Sequence, residues 1–347
     1  LKRQFSSLIL SGKSIRDGDA AMKKTAVLLL VFAVALSASL TVGDAWADDY
    51  PSRPIKMIVP LPAGGGIDIT ARITAEKLSE VLGQQVIIQN QGGAGGALGT
   101  AAVAKSEPDG YTLLYHSTSG IVVAAVTKNL PYDWFHDLVP VSIATRFAPV
   151  MIASPTLPVK NLKEFIALLK ENPGKYSYAS SGPGTAVHLA VEFFEERAGV
   201  QMVHVPYRGT ASAFTDIMTG RVAMMVDGVP AQSKNILEGR VLALAVTTEK
   251  RSPAVPDVPT MKESGLDYVV PFWTAVYAPA NTPKAIVGKL SSAFEKTMKS
   301  EQVTKRLAAI GTEAVGSTAA ELAALDRQQY ALYHRIVEAN PSLIQSK

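Results

Sequence analysis

The 347-residue chain contains no cysteine. That excludes disulfides, thiolate metal sites and a lipid-modified N-terminal cysteine. Histidine is scarce: His116, His136, His188, His204 and His334 are scattered, and none falls in an H-E-x-x-H spacing. A zinc site would need His and carboxylates converging from afar. No G-x-S-x-G elbow occurs, because Ser180-Ser181-Gly182-Pro183-Gly184 lacks the leading glycine. Gly12-Lys13-Ser14 mimics the end of a Walker A motif, but Ser7 stands where its first glycine belongs. Gly93, Gly96 and Gly99 do not have the G-x-G-x-x-G spacing, and no acidic partner sits about 20 residues on. Nucleotide chemistry is therefore poorly supported. No basic stripe with interleaved aromatics is present, so a nucleic-acid partner is not expected.

What is present begins with a leader. Met22-Lys23-Lys24 is a basic start, Thr25 to Leu40 is apolar, and Ala45-Trp46-Ala47 fits a small-x-small cleavage site. The segment from 22 to 47 reads as a cleaved signal peptide, with residues 1–21 an extension ahead of the true start. Through Ala47 the leader holds six Lys/Arg and three Asp/Glu, leaving 28 against 27 beyond it. The pI of about 9.0 therefore overstates how basic the mature chain is. No second apolar run of 18 residues appears, so the chain does not itself carry a solute across a bilayer.

The mature chain is organised around Ile55 to Arg72. Ile55 to Val59 reads as a buried strand, two prolines and three glycines break the pattern, and a helix is expected from Asp68. Such a junction presents unpaired N–H groups and the positive end of a helix dipole, and an anion is its natural guest. The same grammar recurs after Gln89, Tyr115, Ala179, Val205 and Val226, where strands run into glycine-rich or hydroxyl-rich loops. In a parallel sheet those strand ends share one edge, where ligands bind. Two α/β units follow: a first from 48–150, onto which 271–347 packs back, and a second over 151–270, with two hinge crossings between them.

The binding groups expected are the backbone N–H groups of 63–68 and 92–97, which include Ala63, Gly64, Gly65 and Gly93. Hydroxyls of Ser117, Thr118, Ser180, Ser181 and Thr185 join them. Arg208 either forks onto a distal carboxylate or faces solvent, His188 is either packing or ligand, and Tyr207 could wall the cleft. Asp68 suits a helix N-cap, a role compatible with lining the site. Asp227 is odd beside a purely anionic guest; it suits a ligand amine or hydroxyl, or a cap for the next helix. A competing expectation is a periplasmic α/β hydrolase, for which Ser181 with His188 is the one available nucleophile–base pair.

Tyr50 to Ile55 followed by Val59-Pro60-Leu61-Pro62-Ala63-Gly64-Gly65-Gly66-Ile67-Asp68 resembles the opening of the Bug receptors, the substrate-binding proteins of tripartite tricarboxylate transporters. Asn90 to Gly99, Pro108 to Leu114, Tyr178 to Thr185 and Val205-Pro206-Tyr207-Arg208-Gly209 are similar as well, in order along the mature chain. The resemblance implies a two-domain periplasmic binding protein of the type II or Venus flytrap kind, each domain a mixed sheet flanked by helices. It implies a periplasmic receptor that captures a small carboxylate or related small metabolite between its two domains and passes it to a two-subunit membrane permease. A monomer without cofactor or metal is expected. Contact of the first loop with ligand carries over to Leu61, Ala63 and Asp68.

Overall fold

The computed structural model describes residues 50–339 and 341. The leader and its cleavage site lie outside the described residues. Residues from Pro51 onward form one compact unit.

Its first half is a repeated strand–helix alternation. β1 (Ile55–Val59) and β3 (Thr112–Ser117) are buried almost throughout. β2 (Val86–Asn90) alternates, with Ile87 half exposed, as an edge strand does. Between β1 and β2 runs α1 (Gly66–Leu82), which buries Ile73 and Leu78 and ends at Gly83, a left-handed glycine at φ 69. It starts two residues earlier than the sequence suggests. Gly65 is its N-cap and Asp68 lies in the first turn, so Asp68 does not cap by the ordinary geometry. α2 (Ala97–Ala104) and α3 (Thr118–Val126) complete this part.

A one-turn helix, α4 (Trp134–Asp137), leads into the long β4 (Leu138–Phe147). After Ala148 the chain enters β5 (Pro149–Ala153), which belongs to a different sheet. That sheet is completed by α5 (Leu162–Glu171), β6 (Ser177–Ser180), α6 (Ala186–Ala198), β7 (Val203–Pro206), α7 (Thr210–Met218), β8 (Met224–Gly228), α8 (Val229–Leu237) and β9 (Leu242–Val246). The chain then returns through residues 247–271 to β10 (Phe272–Pro279) in the first sheet. α9 (Lys284–Lys299) packs on α1 and β4, and α10 (Glu301–Ala309) precedes a short edge strand, β11 (Thr312–Ala314). α11 (Ala319–Ala339) lies on α3 and β4. β11 and α4 are too short to carry a periodic signal, and sequence reasoning passes over both.

The first sheet has the order β11-β4-β10-β3-β1-β2 and the second β7-β6-β8-β5-β9. β1 is parallel to β2 and β3, whereas β10 is antiparallel to β3 and β4. β6 is parallel to β7 and β8, whereas β5 is antiparallel to β8 and β9. Both sheets are mixed and flanked by helices, a two-domain α/β fold. The parallel strands of each sheet deliver their helix-bearing ends to a common edge, and the two edges meet.

Candidate functional site

Where those edges meet lies a cleft of ≈ 590 Å³, counted out to solvent at its mouth. From the first sheet come Leu61, Pro62 and the start of α1 (Gly65 to Asp68), then Ser117, Thr118 and Ser119 at the start of α3. The second sheet supplies Ser181, Ala186 and Val187 at the start of α6, Gly209, Thr210 and Ala211 at the start of α7, and Asp227 and Gly228 ahead of α8. Phe147 and Phe272, on the strands where the chain passes between sheets, complete the lining. Five helix N-termini thus face one space. First-turn amides have no intrahelical acceptor, and each terminus carries about half a positive charge.

The first loop is held by Asp68, which is buried. Its Oδ2 accepts from the Gly64 amide at 2.9 Å and from Arg72 Nε at 3.0 Å, and its Oδ1 accepts from Asn90 Nδ2 at 3.0 Å. Asn90 Nδ2 also reaches the Leu61 carbonyl at 3.1 Å. Burial pushes the Asp68 carboxyl up, but the bonds from Arg72, Gly64 and Asn90 outweigh it and hold the group below its ordinary value. Asp68 therefore clamps the glycine loop and remains ionised.

The α3 corner is built of hydroxyls. Ser117 Oγ caps α3 by accepting from the Ser119 amide at 3.3 Å, and Ser119 Oγ accepts from the Ala186 amide of α6 at 3.2 Å. The latter bond ties the two sheets together. Both serines are buried, and neither hydroxyl donates a bond among the described residues, so each keeps a proton for a guest. Thr118 Oγ1 accepts from the Trp273 amide at 2.9 Å, which seats this corner beside Phe272.

Asp227 is buried and takes only donors. Its Oδ1 accepts from Thr210 Oγ1 at 3.0 Å and from the Gly228 amide at 2.8 Å, and Oδ2 accepts from Gln232 Nε2 at 2.8 Å. Burial outweighs these bonds and raises its carboxyl above the ordinary value. No Lys, Arg or His lines the cleft among the described residues. His116 stands behind it, with Nδ1 accepting from the Ser117 amide at 2.8 Å, and burial holds its pKa down to about 3, so it is neutral.

Of the residues singled out in the sequence, Leu61, Gly65, Asp68, Ser117, Thr118, Ser181 and Asp227 come together on the cleft wall. Ala63, Gly64, Gly93, Ser180, Thr185, His188, Tyr207 and Arg208 lie off it. Tyr207 turns to Asp216, its hydroxyl donating to Oδ2 at 2.6 Å, and Arg208 is exposed. Thr185 caps α6, accepting from the His188 amide at 3.4 Å. Phe147, Phe272, Ser119, Val187 and Thr210 also line the cleft, and nothing in the sequence motifs marks them as site residues. The two phenylalanines sit at the crossings, where a large apolar residue beside a Pro or a sheet change is the one signal available.

The serine–histidine pair required by a hydrolase is not made. Ser181 Oγ donates to Thr185 Oγ1 at 3.2 Å, while His188 Nδ1 accepts from the Gly184 amide at 3.1 Å and its Nε2 faces Glu192 at 3.6 Å. Burial, with a smaller contribution from His204, lowers His188 to about 3. Ser180 Oγ instead meets His204 Nε2 at 2.6 Å, and neither residue lines the cleft. Nothing in the site supports the hydrolase alternative.

Residues 70–341 match the Tripartite tricarboxylate transporter family receptor (TctC) profile. Protein BugT of Bordetella pertussis is 38% identical over 294 residues, covering 84% of this chain and 90% of that protein. The solved periplasmic binding protein BugD superposes with a TM-score of 0.80 at 35% identity, covering 84% of this chain and 98% of BugD. MatC of Rhodopseudomonas palustris, solved with bound malate, gives 0.79 at 30% identity, covering 83% of this chain and all 100% of MatC. The chain belongs to the receptor family of tripartite tricarboxylate transporters, the Bug receptors, and is a solute-binding protein of that family.

Proposed function

We propose that this receptor captures one small carboxylate per molecule in the periplasm and hands it to a two-subunit membrane permease. The observation that carries the reading is the meeting of five helix N-termini in a cleft lined, among the described residues, by no cationic side chain. The main-chain N–H groups of α1, the Val187 amide of α6 and the free hydroxyl protons of Ser117 and Ser119 are the carboxylate's ligands in this reading. Hydrogen bonds to a charged group contribute about 1.5–3 kcal/mol each, so a few of them sustain micromolar binding after ordering costs. The solved relative MatC, with malate, carries a ligand of the same chemistry.

Residues 48–150 with 271–347 would form one domain and 151–270 the other, hinged at Phe147–Pro149 and near Phe272. The protein closes because only the closed form lets groups from both sheets contact the guest. The permease then reads the closed surface. Thermal unfolding with a panel of mono-, di- and tricarboxylates tests capture: at a hundredfold excess over Kd the stabilisation should be about 2.7 kcal/mol. A flat response across the whole panel would refute the reading.

A further inference from the structure

The cleft is asymmetric, and the asymmetry defines the far end of the guest. One end is the α3–α6 corner, where Ser117 and Ser119 hold unspent hydroxyl protons. The other end is Asp227, whose three bonds are all accepted: two at Oδ1 and one at Oδ2. A carboxylate oxygen accepts two bonds comfortably, so Oδ2 keeps one lone pair for a further donor. Between the ends lie Phe147 and Phe272, buried and edge to face with ring centroids 6.1 Å apart. Their position follows from neighbours at each side. Thr118 is bonded to Trp273, next to Phe272, and a Cβ on Gly228 would lie 2.8 Å from Phe147 Cε2.

A second carboxylate on the guest would find no cation among the described lining residues and would confront Asp227 instead. Placing like charges together in a buried site is unfavourable, and an unpaired buried charge is more so. An apolar, flat body fits the phenylalanine pair through edge and face contacts. A hydroxyl or amine at its far end satisfies the remaining acceptor.

We infer that the preferred ligand is a monocarboxylate with a flat apolar body and a hydrogen-bond donor at the opposite end, rather than a di- or tricarboxylate. Asp227 and the Phe147–Phe272 pair are its specificity determinants. This inference rests on the carboxylate-receptor reading above. It is tested by calorimetry on the full chain with benzoate, 4-hydroxybenzoate, 4-aminobenzoate, succinate, malate, adipate and citrate as probes. The ring acids should bind at least about tenfold tighter than any di- or tricarboxylate, and 4-hydroxybenzoate or 4-aminobenzoate should exceed benzoate by about tenfold. Asp227→Asn should erase the advantage of the donor-bearing ring acids over benzoate. Phe272→Leu should weaken all ring acids while leaving Asp227 and its bonds in place.

A di- or tricarboxylate binding tightest would overturn the inference while leaving the receptor reading intact. An unchanged ratio of 4-hydroxybenzoate to benzoate in a folded Asp227→Asn protein would remove Asp227 from the recognition. If no acid binds at all, the receptor reading fails first and this inference with it. The ranking in the unsubstituted chain decides the matter even if either variant does not fold.

Discussion

Asp68 shows how a side chain can shape a site that it does not chiefly serve as a ligand. Its three donors are the Gly64 amide, Arg72 and Asn90, and through them it fixes the loop that opens the cleft. Asp68→Ala removes the charged acceptor of the Gly64 amide and one of the two acceptors of Asn90 Nδ2, and so frees the loop. It should destabilise the protein by about 1–3 kcal/mol, read from chemical unfolding. The Arg72 bond does the most of the three to lower the carboxyl, but that guanidinium is half exposed, so solvent screening reduces what the pair adds to stability. The pH dependence follows from the sign of the shift. The folded-state carboxyl lies below its ordinary value of 3.8, so the stability it supplies is present above that value and is lost as pH falls through the lowered one. Asp68→Asn should therefore flatten the acid limb of the stability curve below about pH 4. An acid limb identical to that of the unsubstituted protein would contradict this role. The importance of Asp68 was legible from its place after three glycines, but its partners were not. Asn90 lies 22 residues on, and only the parallel pairing of Val59 with Asn90 brings the two together.

At the scale of elements, the loops from the two sheets touch. Gly209, just before α7, lies against Pro62, just before α1: a Cβ there would be 2.8 Å from Pro62 Cδ. Gly209 is extended at φ 174, so alanine is conformationally permitted, and the obstacle is contact with the rigid proline ring. Gly209→Ala should hold the two loops apart and weaken ligand binding, with little change in the melting temperature of the ligand-free protein. Equal affinity in variant and parent would show that this contact is not part of closure. The strand–loop–helix junctions were readable in the sequence because strands end in glycine or hydroxyl clusters. Which side of each loop faces the cleft was not. In the run Tyr207-Arg208-Gly209-Thr210, the conspicuous Tyr and Arg turn outward and the small residues face inward. Recognition through main-chain amides favours small residues that let the backbone approach, and these are the residues that composition makes least visible.

For the whole molecule, two mixed sheets are joined by two crossings, and the cleft lies where their helix-bearing edges meet. Two sheets and the chain crossings between them near 150 and 271 could be anticipated from the strand–helix alternation. The phenylalanine pair could not, because its role arises from two strands 125 residues apart in sequence being adjacent in the sheet, Phe272 opposite Phe147. A hinged receptor should contract when loaded, so small-angle scattering should give a smaller radius of gyration with a saturating ligand than without. An unchanged radius would argue for a preformed, rigid cleft. In the proposed receptor, converging N-termini and free hydroxyls read a negatively charged carboxylate. Calorimetry comparing the tightest-binding acid with its own primary amide tests it most directly, because the amide keeps the shape and removes the charge. The amide should bind at least about a hundredfold more weakly, the loss of two charge-assisted hydrogen bonds. An amide that binds as tightly as the acid would contradict it.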